Sequence, residues 1–242
     1  MPVAFVRLRL TESYLIKMTK FSFLTLFSLM ISLYGHRLTY SPEEFLVGQS
    51  KCFLLDANSS PKDKPWVWYA PTLPMIPGPS HTWYIDKLIE EGISFAGCDQ
   101  GEVRGSPASI QRFTEFYNEM VKRGYSKKPA LLGQSRGGLM MLSWAVRNPN
   151  KVGAFAGIYP VQNLRSWPIK RNLSATLHDF EMDEKTFFQM IDEHNPINHL
   201  AGMAKAQVPV FILHGDSDKV VPFEENSRVV QEKYLELGGK VE

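Results

Sequence analysis

Residues 130–144 read Ala-Leu-Leu-Gly-Gln-Ser-Arg-Gly-Gly-Leu-Met-Met-Leu-Ser-Trp. The apolar run 130–132 has strand character, and Leu139, Met140, Met141 and Trp144 belong to a helical pattern over 137–147, ahead of Asn148-Pro149. Between them stands Gly133-Gln134-Ser135-Arg136-Gly137-Gly138, a Gly-x-Ser-x-Gly sequence in the strand–turn–helix setting that such a turn requires. The glycines answer a steric demand, because side chains two residues before and after the serine would collide where strand and helix pack closely. The turn lifts the Ser135 hydroxyl above the sheet as a nucleophile. It also leaves the Arg136 N–H, at the helix start, facing the place where an oxyanion would develop.

Outward from this turn the chain alternates between short and long apolar patterns. Runs at 51–55, 66–69, 93–98, 154–159 and 208–213 have strand length and are bounded by Gly, Pro or Asp. Ser106-Pro107 reads as an N-cap followed by Pro at the first helical position, and Ile110, Phe113, Tyr117, Met120 and Val121 recur at helical spacing up to Gly124. A further helix is expected from about 224 to 237, stopped by Gly238-Gly239. Strands alternating with helices predict an α/β fold, a mostly parallel sheet with helices on both faces. One domain over 50–242 fits the length of 242 residues.

Eighty-three residues after Ser135, the run 208–213 enters His214-Gly215-Asp216-Ser217-Asp218-Lys219-Val220-Val221-Pro222. An acid on the loop after a late strand is where a triad in chain order Ser, Asp, His keeps its orienting carboxylate. The two motifs together resemble the α/β-hydrolase superfamily. The stretch 214–222 is similar to the segment of prolyl-oligopeptidase-like and dienelactone-hydrolase-like members in which the second Asp is the triad acid. The resemblance runs from about residue 51 to the C-terminus and is densest over 129–164 and 208–222. It implies Ser135 as nucleophile and Asp218 as acid, with Asp216 the alternative, and it implies no metal and no organic cofactor. In such folds the first oxyanion donor comes from the loop after the third strand. Trp66-Val67-Trp68-Tyr69-Ala70-Pro71 stands there, so the N–H of Tyr69 or Ala70 is the candidate partner of the Arg136 N–H. The His-Gly-Gly-Gly of many esterases is not present.

The resemblance places the general base on a loop beyond the last strand, yet none of the six histidines (36, 81, 178, 194, 199 and 214) follows Asp218. His214 reads as a structural residue and His81 as a surface-loop residue, with the pocket mouth as its alternative. After Gly239 only Lys240-Val241-Glu242 is left for a strand, which ordinarily takes about five or six residues. The chain is therefore expected to stop short of its last strand and of the base. The stretch between 159 and 208 is longer than one crossover helix needs. Its Trp167, Phe180, Phe187, Phe188 and Met190 suggest a small cap at about 161–205, an ordinary amphipathic helix being the alternative.

Twenty-seven basic against twenty-five acidic residues leave +2 with no long Lys/Arg block, so the footprint of a nucleic-acid binder is missing. Two cysteines cannot frame a disulfide scaffold or a metal site. Cys52 and Cys98 read as small buried hydrophobes, a single disulfide being the alternative. Residues 21–35 are uncharged and follow Lys17 and Lys20, the form of a secretory signal too short to span a bilayer. Residues 1–36 are thus expected to be a leader, with the signal at about 18–35 and Met18 as an alternative start. That predicts a secreted or periplasmic protein without a stable membrane span, a packed N-terminal helix being the alternative. The expected function is a serine hydrolase that cleaves a small-molecule carboxylic ester through an acyl-enzyme on Ser135. No accessory domain is visible in the sequence, which tilts the expectation from peptides to esters. A serine peptidase of the prolyl-oligopeptidase type is the first alternative, and a non-catalytic binding protein on the same fold the second.

Overall fold

Along residues 66–70 every side chain is apolar or aromatic, and successive side chains in a strand point to opposite faces. Trp66, Trp68 and Ala70 therefore join one core and Val67 and Tyr69 another. A strand apolar on both faces must lie inside a sheet covered by helices on both sides. A computed structural model shows this arrangement and describes residues 41–57 and 61–242. The leader expected at 1–36, with His36, lies outside the described residues.

Among the described residues seven strands form one sheet: β1 (Glu43–Val47), β2 (Ser50–Leu55), β3 (Trp66–Thr72), β4 (Ser94–Asp99), β5 (Ala130–Gln134), β6 (Ala154–Ile158) and β7 (Val210–Leu213). Their order is β1-β2-β4-β3-β5-β6-β7. The five strands from β4 to β7 pair in parallel, and β1 and β2 are antiparallel. The helices are α1 (Thr82–Glu90), α2 (Pro107–Lys122), α3 (Gly137–Arg147), α4 (Trp167–Phe180), α5 (Glu184–His194), α6 (Ala201–Lys205) and α7 (Ser227–Glu236).

The first core lies under α2 and α3 and is built around tryptophans. Trp68 is fully buried, its ring centroid 4.8 Å from Trp144 of α3 and 5.2 Å from Phe116 of α2. On the other face Val67, Tyr69 and Phe95 meet Ile85 and Ile89 of α1, one helical turn apart. A third cluster joins Phe180 of α4 and Phe187 and Ile191 of α5 to Leu139 of α3 and to Val221. Three helices, α4, α5 and the short α6, therefore fill the long β6–β7 connection. α4 restarts at Asn172, whose backbone is non-helical and whose Oδ1 accepts from the Ala175 N–H at 3.0 Å.

Three features depart from the sequence reading. β1 lies ahead of the expected boundary at 50, and its exposed outer face gives it no apolar alternation to read. α1 grows from the Pro/Gly-rich stretch, and it turns His81, expected on a surface loop, into a buried residue packed against Tyr69 and Tyr84. The helix expected from 224 is broken at Asn226 into a 3-10 turn, Phe223–Glu225, and α7. Residues 240–242 pair in parallel with β7: Val210 N–H donates to Lys240 O, and Ile212 N–H to Glu242 O, at 3.0 and 2.9 Å.

Because Trp68 touches both covering helices, Trp68→Ala should lower folding stability by about 3–5 kcal/mol. A urea titration followed by circular dichroism would show this as a lower midpoint at unchanged slope.

Candidate active site

β5 ends at Gln134 and α3 starts at Gly137, so the chain reverses within two residues. The turn puts Ser135 at φ +50, a left-handed conformation that a non-glycine residue holds only when its surroundings enforce it. Three backbone hydrogen bonds do so. Ser135 N–H donates to Ile158 O of β6 at 3.0 Å, and Ser135 O accepts from Gly138 N–H at 2.9 Å and Val161 N–H at 2.8 Å. The flanking glycines make the turn possible. A Cβ on Gly133 would lie 2.6 Å from Gly138 Cα, one on Gly137 would lie 1.9 Å from Ala70 O, and one on Gly138 would lie 2.4 Å from Pro160 Cβ. Ser135 is left half-buried at the C-terminal edge of the sheet.

The Arg136 N–H, at the mouth of α3, donates to no other described residue and so is open to an oxyanion. The Arg136 guanidinium pairs with Glu102. Tyr69 and Ala70 lie inside β3 where it is paired: Tyr69 faces Gly97 of β4 and Leu132 of β5, and Ala70 faces Gly133. Their N–H groups thus belong to the ladder. What reaches the turn from β3 is the Tyr69 hydroxyl, which donates to Gln134 Oε1 at 3.2 Å, while Gln134 Nε2 donates to the Tyr159 hydroxyl. Burial, followed by the neighbouring Tyr159, raises the Tyr69 phenol well above its ordinary range, so it keeps its proton.

Asp218 follows β7, one strand beyond β6 from the serine. The strand ends are linked in series, since Tyr159 N–H donates to Leu213 O at 2.7 Å. Asp218 Oδ1 accepts from the Val220 and Val221 N–H groups at 2.8 and 2.9 Å, which fixes the carboxylate and leaves Oδ2 available. Asp216 is exposed and bonded only to the Ser217 hydroxyl. Of the two acids the structure orients Asp218.

His214 sits close to that acid, with Nε2 3.6 Å from Asp218 Oδ2, but its ring is spent on the loop. Nε2 contacts Val221 O at 2.9 Å and Nδ1 contacts Ser227 Oγ at 2.6 Å. The buried Asn226 anchors the same loop, its Oδ1 accepting from Gln162 and Asn163 N–H and its Nδ2 donating to Ser166 Oγ and Pro222 O. Sequence reasoning missed this hub, although an Asn just before a helix is a recognisable signal. His81 accepts from Gly78 N–H through Nδ1, His178 and His199 are exposed, and His194 packs on Phe180. No group of three or more metal-ligating side chains occurs among the described residues. No described helix is long and apolar enough to cross a membrane.

The close approach of Gly137 to Ala70 yields a direct test. Gly137→Ala should destabilise the fold by about 1–3 kcal/mol through overpacking against β3. Labelling of Ser135 by a fluorophosphonate should fall more steeply than the folded fraction, both measured on one sample.

The prolyl oligopeptidase family matches residues 107–234, more than half of the chain and the part holding both Ser135 and Asp218. No curated protein matches the sequence. Among solved structures, a puromycin-hydrolysing peptidase of Mycobacterium tuberculosis is similar at TM-score 0.65 and 14% identity, over 84% of this chain and 35% of that one. The acylaminoacyl peptidase of Pyrococcus horikoshii is similar at TM-score 0.64 and 12% identity, over 93% and 38%. Dipeptidyl peptidase 4 of Porphyromonas gingivalis is similar at TM-score 0.62 and 13% identity, over 89% and 33%. The chain thus spans about a third of the length of these structures, and it shares their fold. With the family matched over more than half of its length and the fold shared with these structures, the chain belongs to the prolyl oligopeptidase family, on an α/β-hydrolase fold.

Proposed function

We propose that the chain carries the nucleophile and the acid of a serine peptidase. The observation that carries the reading is the strained turn at Ser135 within the family match. Ser135 Oγ attacks an acyl carbonyl, a histidine takes its proton, and Asp218 holds that histidine in the right tautomer. The Arg136 N–H receives the oxyanion, and the neutral Tyr69 hydroxyl, exchanging its bond to Gln134 Oε1 for one to substrate, is the second donor in place of the N–H groups of β3. Collapse expels the leaving group as it takes the proton back, and water then releases the acyl group from Ser135. Peptides come ahead of the ester first expected because the similar structures are named as peptidases. The want of an accessory domain, which favoured esters, loses its weight in a chain spanning about a third of theirs.

In this reading the base comes from a histidine outside residues 1–242. Two observations support that source. Residues 240–242 already lie in parallel register beside β7, and Phe211 and Leu213 on β7 are 54% and 62% exposed, an apolar strip that a continuing strand and its crossover would cover. Of the five described histidines, His81 and His214 have ring nitrogens held by neighbouring groups, His178 and His199 are exposed, and His194 is buried against Phe180.

In a longer version of the chain, Ser135→Ala should remove about a million-fold of kcat and Asp218→Asn about ten-thousand-fold. Asp216→Asn should stay within a few-fold of the parent. A larger loss from Asp216→Asn would move the acid there. Substrate class is read by comparing peptide p-nitroanilides with p-nitrophenyl acetate, and turnover of the ester alone would restore the ester reading. Residues 1–242 by themselves should show at most the residual of about a thousand- to ten-thousand-fold over water that an oxyanion hole and binding leave without a base. Equal turnover by short and long chains would place the base among the histidines present. An intact long chain that a fluorophosphonate does not label would favour a binding protein on this fold.

A further inference from the structure

Cys52 and Cys98 lie 46 positions apart in sequence and far from the turn at Ser135 in the strand order, and nothing in the proposed chemistry uses them. In the antiparallel pairing of β2 with β4 they are direct partners, so their side chains project to the same face of the sheet. Directly opposed residues of an antiparallel pair have Cα atoms about 4.5–5.5 Å apart, inside the span of about 4.4–6.8 Å that a disulfide accepts. The two sulfurs stand 3.0 Å apart. Both side chains are buried in the core under α2 and α3, at 3% and 2% exposure, and among the described residues no third metal-ligating side chain joins them. From this geometry we propose that Cys52 and Cys98 are a modification site, closing into one intramolecular disulfide that fastens the β1–β2 hairpin to β4.

The polar contacts of the pair say which sulfur reacts first. Cys98 Sγ accepts from Cys52 Sγ and from Gln100 Nε2 at 3.5 Å, whereas Cys52 also has Ser50 O at 3.5 Å as an acceptor for its proton. The donor hydrogen bond from Cys52 holds the Cys98 thiol below its ordinary value, so of the two Cys98 is the one that gives up its proton more readily. The oxidant is a low-molecular-weight disulfide, which reaches the pair when the edge hairpin opens locally. Cys98 thiolate attacks one sulfur of that reagent, forming a mixed disulfide and releasing one thiolate. Cys52, losing its proton to the released thiolate or to water, then attacks the Cys98 sulfur and expels the second. Two protein thiols and one small disulfide become one protein disulfide and two small thiols.

The test uses the full 242-residue chain, kept native, with oxidised glutathione as reagent. After incubation the protein is unfolded in the presence of a maleimide, weighed intact and digested. The expected result is loss of both titratable thiols, an intact mass lower by two hydrogens than the reduced protein, and a peptide pair joining Cys52 to Cys98 that dithiothreitol separates. The Cys52→Ala variant, under the same treatment, should give no such pair. Uptake of two maleimides by the treated wild type, a lasting glutathione adduct on either cysteine, or disulfide-linked dimers in place of the internal bond would each overturn the proposal.

Discussion

The left-handed backbone at Ser135 is the constraint around which the rest of the molecule is arranged. A residue with a Cβ held at φ +50 costs on the order of 1–3 kcal/mol, and it persists only where several contacts agree on it. Here β6 supplies one acceptor, the segment after β6 supplies one donor, and the first turn of α3 supplies another. The contact partners of Gly133, Gly137 and Gly138 belong to α3, β3 and Pro160. The parallel strands, the two cores and the close approach of helix to sheet thus converge on one dihedral angle, which is what makes the hydroxyl's position reproducible.

The acid is placed by a different device. No strain is involved. Two successive backbone N–H groups capture one oxygen of Asp218, and a buried amide and imidazole, Asn226 and His214, lock the loop that carries them. That loop is also stitched to the segment leaving β6, so serine and acid share β6 as a common spacer. The α4–α5 pair is rooted on the same assembly through Leu139 and Val221, and Arg104 fastens it to the loop after β4 by pairing with Asp179. A cap over the serine, as expected from the length of 161–205, would have these helices as its body.

What the sequence reveals follows from which forces leave a periodic or local mark. The turn at Gly133–Gly138, six of the seven strands and the helices at 107 and 137 are set by apolar alternation and by glycine sterics, both written within a few neighbouring residues. β1 is invisible to that reading because its outer residues face solvent and carry Glu43 and Glu44. α1 is masked by the prolines and glycines that precede it, and so His81 is read as exposed. The candidate oxyanion donors of β3 show a related limit. Whether an N–H is free depends on the neighbouring strands, and only the register of β3 between β4 and β5 shows that Tyr69 and Ala70 are paired along the ladder while the Tyr69 hydroxyl reaches Gln134 at the turn. The partnering of Cys52 with Cys98 is likewise a matter of register, since it requires β4 to lie between β2 and β3.

The tryptophan core also gives the molecule an optical signature. The indole centroids of Trp66 and Trp68 lie 5.8 Å apart at an interplanar angle of 19°, and those of Trp68 and Trp144 lie 4.8 Å apart at 61°. Rings this close and this rigidly oriented couple their electronic transitions, so the native packing of β3 against α3 carries its own band in near-ultraviolet circular dichroism. Trp83, 69% exposed on α1, sees water in every state. Dichroism of the buried trio therefore follows the core without any added probe, and a form that keeps its secondary structure while losing its core would be recognised by the silence of that signal.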